Sequence, residues 1–357
     1  MLQKLLLIST LSVLMLGITQ ACGINVNLAN TNSSVNSPNP QTNSQTKKNT
    51  SATTLEKIEL PANFQYPNGI TQAKDGTLYI GSITSGKILR IKPGQQTEIF
   101  FPGNNQVFAA NTLRLDQERG IIWGTSSDFL GVRGSDGQVT RRSHRIFAID
   151  INSGEVIRVI VMPDGGFGND IALDEKGGVY ITDSWRSRIH YLADVKNQLQ
   201  IWVQDQRFAA ADGQVGLAGI ARHKNGVIIV GHFSQGKLFQ VTPQASGKPK
   251  VEEINLSRTI ENPDGMQFTA DGQLIIIEGA IKSGNGRLLQ IEMNSSISNI
   301  KEVKEIASQI ISPVNLTLSE NQVWVTESRI RHRLFKEEEA NIPKQFFIHR
   351  FQLLHQK

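Results

Sequence analysis

The chain has 357 residues, 39% of them hydrophobic, a formal net charge of +5 and a single cysteine. That length and composition support a large core, and one cysteine excludes an internal disulfide framework. Lys and Arg are spread along the sequence rather than gathered in a stripe interleaved with aromatics, which argues against nucleic acid as a partner.

The N-terminal residues 1–21 read as a signal peptide. Lys4 supplies a positive start, and residues 5–17 are apolar apart from Ser9, Thr10 and Ser12. This run has the length of a signal-peptide core and is too short to span a bilayer. Its end, Ile18-Thr19-Gln20-Ala21-Cys22-Gly23, resembles a bacterial lipobox, with Thr19 where Leu is usual. The resemblance implies a lipoprotein-type signal peptide and lipidation of Cys22. It also implies an exported protein on the cell or outer membrane, facing the periplasm or exterior. Ordinary cleavage near Ala21 is the other reading of the same residues. Residues 22–52 are dense in Asn, Ser, Thr and Gln and lack aromatics, so they are expected to form a disordered tether. A coil of that length spans about 30 Å.

Six stretches then repeat one pattern. They are PNGITQAKDGTLYIGS from Pro67, AANTLRLDQERGIIWGTS from Ala109, FGNDIALDEKGGVYITDS from Phe167, GLAGIARHKNGVIIVGHF from Gly216, NPDGMQFTADGQLIIIEG from Asn262 and SPVNLTLSENQVWVTES from Ser312. Each is a short apolar strand, a polar turn and a more apolar strand ending in Ser, Asp, Glu or His. The copies align on Ile70, Leu113, Ile171, Ile220, Met266 and Leu316. Short strands recurring roughly every 40–50 residues are the signature of propeller blades. Residues 53–357 are therefore predicted to form an all-β, six-bladed β-propeller with four-stranded antiparallel blades around a central channel. No run carries a sustained helical period.

In the first blade, Lys74-Asp75-Gly76 gives a hairpin signal between strands expected at 69–73 and 77–80. Third and fourth strands follow at 87–91 and 97–101. Residues 54–60 and 344–353 both alternate like strands. They are predicted to share the last blade, because closing the ring removes exposed sheet edges. Two insertions, 127–143 and 329–343, fall between second and third strands and hence at the channel mouth. They contain Phe129, Arg141 and Arg142 in the first case and Arg331 and His332 in the second. They read as a lid over a site or as solvated loop growth.

The residue two places before each alignment point is Asn68, Asn111, Asn169, Ala218, Asp264 and Val314. A propeller gathers these six positions at one mouth, and four of them are oxygen donors. Hard cations, Ca²⁺ foremost, take carboxylate and Asn carbonyl ligands, so these four are candidate metal ligands. Asn and Asp before a strand are also ordinary turn formers. The seven His residues are scattered without zinc spacing. There is no G-x-S-x-G and no evident Ser/His/Asp arrangement. Glu278 and Glu327, at second-strand ends, read as solvated carboxylates or as additional ligands. His232, at another such end, reads as a surface histidine or a general base.

The stretches from Phe167 and Asn262 resemble two signature blades of the senescence marker protein/gluconolactonase family. Its members are calcium-dependent six-bladed propellers related to lactonases, paraoxonases and organophosphate hydrolases. The resemblance covers roughly residues 64–328. It implies that Asn169 and Asp264 bind the metal and that Asp264 acts as base or nucleophile. The family's blade-one Glu is replaced here by Asn68, and the Asn expected in the blade before the P-D-G motif by Ala218. The implied function is an exported, membrane-tethered, metal-dependent hydrolase that opens a lactone or related ester. PNGI…DGTLYI also resembles NHL repeats, which implies a non-catalytic module binding a protein or glycan, with any metal structural. A third reading, a lyase of the streptogramin-opening kind, requires a general base over the channel.

Overall fold

The blades lean on one another rather than on cores of their own. In the computed structural model, which describes residues 54–293 and 299–353, the buried apolar side chains fall into six clusters. Each cluster lies between two neighbouring blades: Ile70 and Ile80 of the first blade pack with Trp324 and Ile348 of the sixth, and Leu113 and Phe147 of the second with Tyr79 and Ile88 of the first. A four-stranded sheet with two apolar faces must be covered on both sides, and stacking blades around a ring does this. The expected signal peptide 1–21, Cys22 and the tether 22–52 lie outside the described residues.

The six sheets are four-stranded and antiparallel. Blade 1 comprises Pro67–Gln72, Leu78–Ser82, Ile88–Ile91 and Glu98–Phe101, from the channel outward. Blade 2 comprises Thr112–Asp116, Ile121–Ser126, Arg145–Asp150 and Val156–Val161, and blade 3 Gly168–Leu173, Val179–Asp183, Arg188–Leu192 and Gln200–Gln204. Blade 4 holds Leu217–Arg222, Ile228–His232, Lys237–Thr242 and Lys250–Glu253, and blade 5 holds Pro263–Phe268, Gln273–Glu278, Asn285–Glu292 and Val303–Ile311. In blade 6, Pro313–Ser319, Gln322–Glu327 and Phe347–Gln352 are joined on the outside by Thr54–Glu59. The two ends of the propeller thus close the ring in one sheet, with Ile58 opposite Ile348. The innermost strands touch in cyclic order, the sixth against the first. Among the described residues the only helical elements are four short 3₁₀ turns.

Local chemistry explains the hairpins. In blade 1 the Asp75 carboxylate accepts the Thr77 N–H at 2.9 Å, while Gly76 takes φ 86°, a left-handed conformation that glycine adopts without steric cost. Both insertions are structured. That of blade 2 contains a small hairpin, Val132–Arg133 against Val139–Thr140, and that of blade 6 contains the 3₁₀ turns Arg331–Arg333 and Lys336–Glu338.

Candidate active site at the channel mouth

Five of the six innermost strands carry a β-bulge near their start. In blade 1, Pro67 pairs with Ser82 and Ile70 with Ile80, so Asn68 and Gly69 together face the single residue Gly81. The same shift occurs at 168/171, 217/220, 263/266 and 313/316. In blade 2 the strand begins at Thr112, directly after Asn111. A bulge re-aims side chains at the end of a strand. Here it sends the first bulged residue towards the mouth: Asn68, Asn169, Asp264 and Val314 all line one cavity of about 240 Å³, together with Asn111.

A repeated contact holds these positions. The hydroxyl of a threonine in the preceding blade donates to the backbone carbonyl of the bulged residue: Thr326 to Asn68 at 2.8 Å, Thr125 to Asn169 at 2.8 Å and Thr182 to Ala218 at 2.6 Å. Where the chain lacks this threonine, close packing takes over. A Cβ on Gly219 would sit 2.0 Å from the Asp264 carbonyl oxygen, so only glycine lets blade 4 approach Asp264 this closely. The carboxamides differ in their freedom. Asn169 donates from Nδ2 to Ser184 Oγ at 2.9 Å, which leaves its oxygen turned to the cavity. Asn111 is tied at both ends to Ser127, accepting its N–H at 2.9 Å and donating to its carbonyl at 3.4 Å. Its oxygen keeps one lone pair. Among the described residues no side-chain hydrogen bond holds Asn68.

Below this ring lies a network absent from the sequence reading. The second bulge position reads Gly69, Thr112, Asp170, Gly219, Gly265 and Asn315 around the ring. Asp170 is 1% exposed and Arg114 5% exposed. The Arg114 guanidinium donates to Asp170 at 3.0 Å and to the Asn315 side-chain oxygen at 3.2 Å. Thr112 donates to Asp170 at 2.5 Å, and Asn315 Nδ2 donates to Thr112 at 3.1 Å. Blades 3 and 6 are opposite in a ring of six, so the Asp170–Arg114–Asn315 chain crosses the channel. It floors the cavity, which Asn315 also lines. The same alignment moved by one residue, with three glycines and three polar groups, was the available signal.

Among the described residues Asp264 is the one ionisable residue lining the cavity. Among the described residues it has no ion-pair partner, because the nearest cation, Arg114, is engaged by Asp170. Burial, reinforced by the Asp170 carboxylate, pushes the Asp264 carboxyl well above the ordinary carboxylate range, although the Gly265 N–H and Arg114 oppose the shift. A half-buried acid without a countercharge among the described residues, ringed by amide oxygens, is a donor set that fits a hard cation. Among the described residues no group of three or more His, Cys, Asp and Glu is positioned to hold a metal. A cation at this mouth would therefore rest on one carboxylate and neutral oxygens.

The remaining sequence candidates sit elsewhere and do other work. Glu278 and Glu327 are each 1% exposed, so neither is a solvated strand-end carboxylate. Glu278 accepts from Arg258 at 2.6 Å, Arg287 at 2.9 Å and the Glu261 N–H at 2.8 Å, while Glu327 pairs with His349 at 2.7 Å and Arg329 at 3.1 Å. Both are ion-paired, and neither is among the residues that line the cavity. His232 is likewise buried, with Nε2 beside the Ala209 carbonyl at 3.1 Å and Nδ1 accepting the Gln235 N–H at 3.3 Å. Its two ring nitrogens are used within blade 4 and its adjoining loops, so it is neither a surface histidine nor a base over the channel. Asp183, at the corresponding place in blade 3, accepts the Phe167 and Trp185 N–H groups and meets His190 at 3.2 Å. The ends of the second strands therefore anchor the loops that lead into the mouth.

The cavity walls are apolar and come from loops. Ile83, Phe129, Phe233, Ile281 and the pair Ile330 and Leu334 are supplied by the connections between second and third strands, and Phe167 and Val215 by the loops entering blades 3 and 4. The blade 6 insertion is pinned across the mouth. Arg331 donates to the Ile281 and Lys282 carbonyls of blade 5 and to Glu338 at 2.6 Å, and His332 meets the Tyr66 hydroxyl at 3.1 Å.

No protein-family model matches the chain, and no curated protein matches it in sequence. Solved structures do share its fold. Virginiamycin B lyase from Staphylococcus aureus is 14% identical, with 84% of this chain and 99% of that one covered and a TM-score of 0.53. A gluconolactonase from Xanthomonas campestris is 12% identical, with 83% and 89% covered and a TM-score of 0.57. The PQQ-bound aldose sugar dehydrogenase from Streptomyces coelicolor is 12% identical, with 84% and 98% covered and a TM-score of 0.52. At these identities the likeness is one of fold, and it is shared by different chemistries.

Proposed function

We propose that the protein is a hydrolase that opens a lactone or related ester at the channel mouth, using a divalent cation, Ca²⁺ foremost, held by Asp264, Asn169, Asn68 and Asn111. One observation carries this reading: among the described residues the only ionisable side chain lining the cavity is a carboxyl without an ion-pair partner, surrounded by carboxamides. A cation bound there would polarise the substrate carbonyl oxygen. It would also favour the ionised form of Asp264 against the upward push of burial, and the Asp264 carboxylate then takes a proton from water as the water oxygen bonds to the carbonyl carbon. The ring C–O bond then breaks, the proton passes from Asp264 to the departing alkoxide oxygen, and a hydroxy acid leaves. Asn169, oriented by Ser184, keeps the carbonyl end of the substrate against Asp264. The fold likeness to a gluconolactonase supports the reading. Export and anchoring through a lipid on Cys22 belong to the same proposal, resting on the residues of the N-terminus.

The test is hydrolysis of a panel of lactones, aryl esters and phosphotriesters by the full chain, with and without a chelator, alongside calorimetric titration with Ca²⁺. Asp264→Asn is expected to lower kcat by about 10²–10⁴-fold and to abolish the Ca²⁺ titration. Wild-type turnover in that variant would sink the hydrolase. A second reading, a module that binds a protein or glycan on this face, is favoured by Ala218 and Val314, which leave two ring positions without donors. Ca²⁺ binding that depends on Asp264, with no turnover on any substrate, would select it.

A further inference from the structure

We infer that the substrate is a neutral lactone or ester with an apolar body, and that a polyhydroxylated sugar lactone is excluded. This inference rests on the hydrolytic reading of the site. The observation behind it is the separation of the cavity into a polar floor and an apolar collar. Oxygen donors are confined to the starts of the innermost strands, Asn68, Asn169, Asp264 and Asn315, and to Asn111 directly before the blade 2 strand. Above them every blade except the third supplies an aliphatic or aromatic side chain from its second-to-third-strand loop, and blade 3 is covered by Phe167 at its entry. Among the described residues no side-chain hydroxyl, amide or cation interrupts this collar.

Two consequences follow for recognition. Hydroxyls on a ligand body inside the collar have no side-chain partner, and each buried hydroxyl left unpaired lowers affinity by about 5- to 150-fold. A site lined by hydrocarbon thus rejects a sugar through its own hydroxyls. Among the described residues no Lys, Arg or His lines the collar, so an anionic group carried by the body of a substrate finds no countercharge there. A methylene carried into the collar gains instead. The full transfer value is about 0.8 kcal/mol, or about fourfold in affinity for each buried methylene. Leu334 is 38% exposed and Phe233 only partly buried, so both have surface left to cover when a ligand enters.

The test compares three probes with the same six-membered lactone ring on the full chain: δ-valerolactone, δ-octalactone and glucono-δ-lactone. We expect kcat/KM for δ-octalactone to exceed that for δ-valerolactone by at least about tenfold, allowing for incomplete burial of its three extra methylenes, with no turnover of glucono-δ-lactone. Phe233→Ala and Leu334→Gln should each flatten the chain-length dependence, and Leu334→Gln replaces a half-exposed side chain, so loss of fold does not confuse the result. A flat series, or glucono-δ-lactone as the better substrate, overturns this inference while leaving the hydrolase standing. If no lactone or ester is turned over, the hydrolase fails, and calorimetry with the same probes decides the collar separately. Binding of δ-octalactone that weakens in Phe233→Ala sustains it, and no binding overturns it.

Discussion

Single residues set the geometry of the mouth, and their roles divide between display and clearance. Asn68, Asn169 and Asp264 are displayed by bulges: threonine hydroxyls hold the Asn68 and Asn169 backbone carbonyls, Ser184 orients the Asn169 amide nitrogen, and the Asp264 carbonyl packs against Gly219. That arrangement leaves the carboxamide and carboxyl oxygens to a ligand. Gly219 provides clearance. Its replacement by alanine puts a methyl group 2.0 Å from the Asp264 carbonyl, and backbone cannot yield as a flexible side chain would. Gly219→Ala should cost about 1–3 kcal/mol and displace Asp264, so thermal unfolding and Ca²⁺ titration should fall together. An alanine at Gly94, where a Cβ meets nothing within 4 Å, is the contrasting control for Ca²⁺ binding.

Elements matter where loops of irregular sequence cover the site. The blade 6 insertion is attached to two other blades, by Arg331 to the loop after Glu278 and by His332 to Tyr66 in front of blade 1. A charge-assisted contact to carbonyls and a carboxylate is stronger than a neutral one. Arg331→Ala should therefore release the insertion without unfolding the propeller. Hydrogen exchange at 330–341 should rise by tenfold or more while that of the innermost strands stays unchanged, and Ile330 and Leu334 should no longer shield the cavity. Unchanged exchange in the insertion would show that apolar packing alone holds it. The blade 2 insertion is fastened differently, through Asp128, which accepts the Arg142 N–H and side chain at 3.0 Å each.

At the level of the whole molecule, stability depends on buried charge distributed around the ring. Burial alone would raise Asp183, Glu278 and Glu327, yet their hydrogen bonds and ion pairs, from His190, Arg258 and His349 among others, hold all three below the ordinary carboxylate range. Groups depressed in the folded state contribute stability that is present above their unfolded pKa and lost as pH falls through the folded one. His144 acts at a higher pH. Burial pushes it down from 6.5 to about 4, with Arg141 adding to the shift and Asp128 and Asp183 opposing it. Below pH 6.5 the unfolded chain takes up a proton that the folded one refuses, so stability falls from there to about pH 4. The melting temperature should thus decline in two stages on acidification. His144→Phe, which keeps the contacts with Phe167 and Trp185, should shrink the upper stage, to which His232 and His332, also held down by burial, add their share, and leave the lower. An unaltered upper stage would assign it to other groups.

The sequence by itself determined the period, the number of blades, the antiparallel hairpins, the closure of the ring by residues 54–60 and 344–353, and the gathering of Asn68, Asn111, Asn169 and Asp264 at one mouth. These follow from alternation and turn chemistry, which act over a few residues and repeat visibly. Tertiary structure alone decided the rest. The bridge from Arg114 to Asn315 joins positions 201 apart, and nothing local marks either residue as its partner. Glu278, Glu327 and His232 have the residue types of ligands and bases, but their partners come from other strands and loops, and those partners make them anchors. The apolar collar is assembled from loops with no common motif, because a propeller fixes where its loops meet without fixing what they contain.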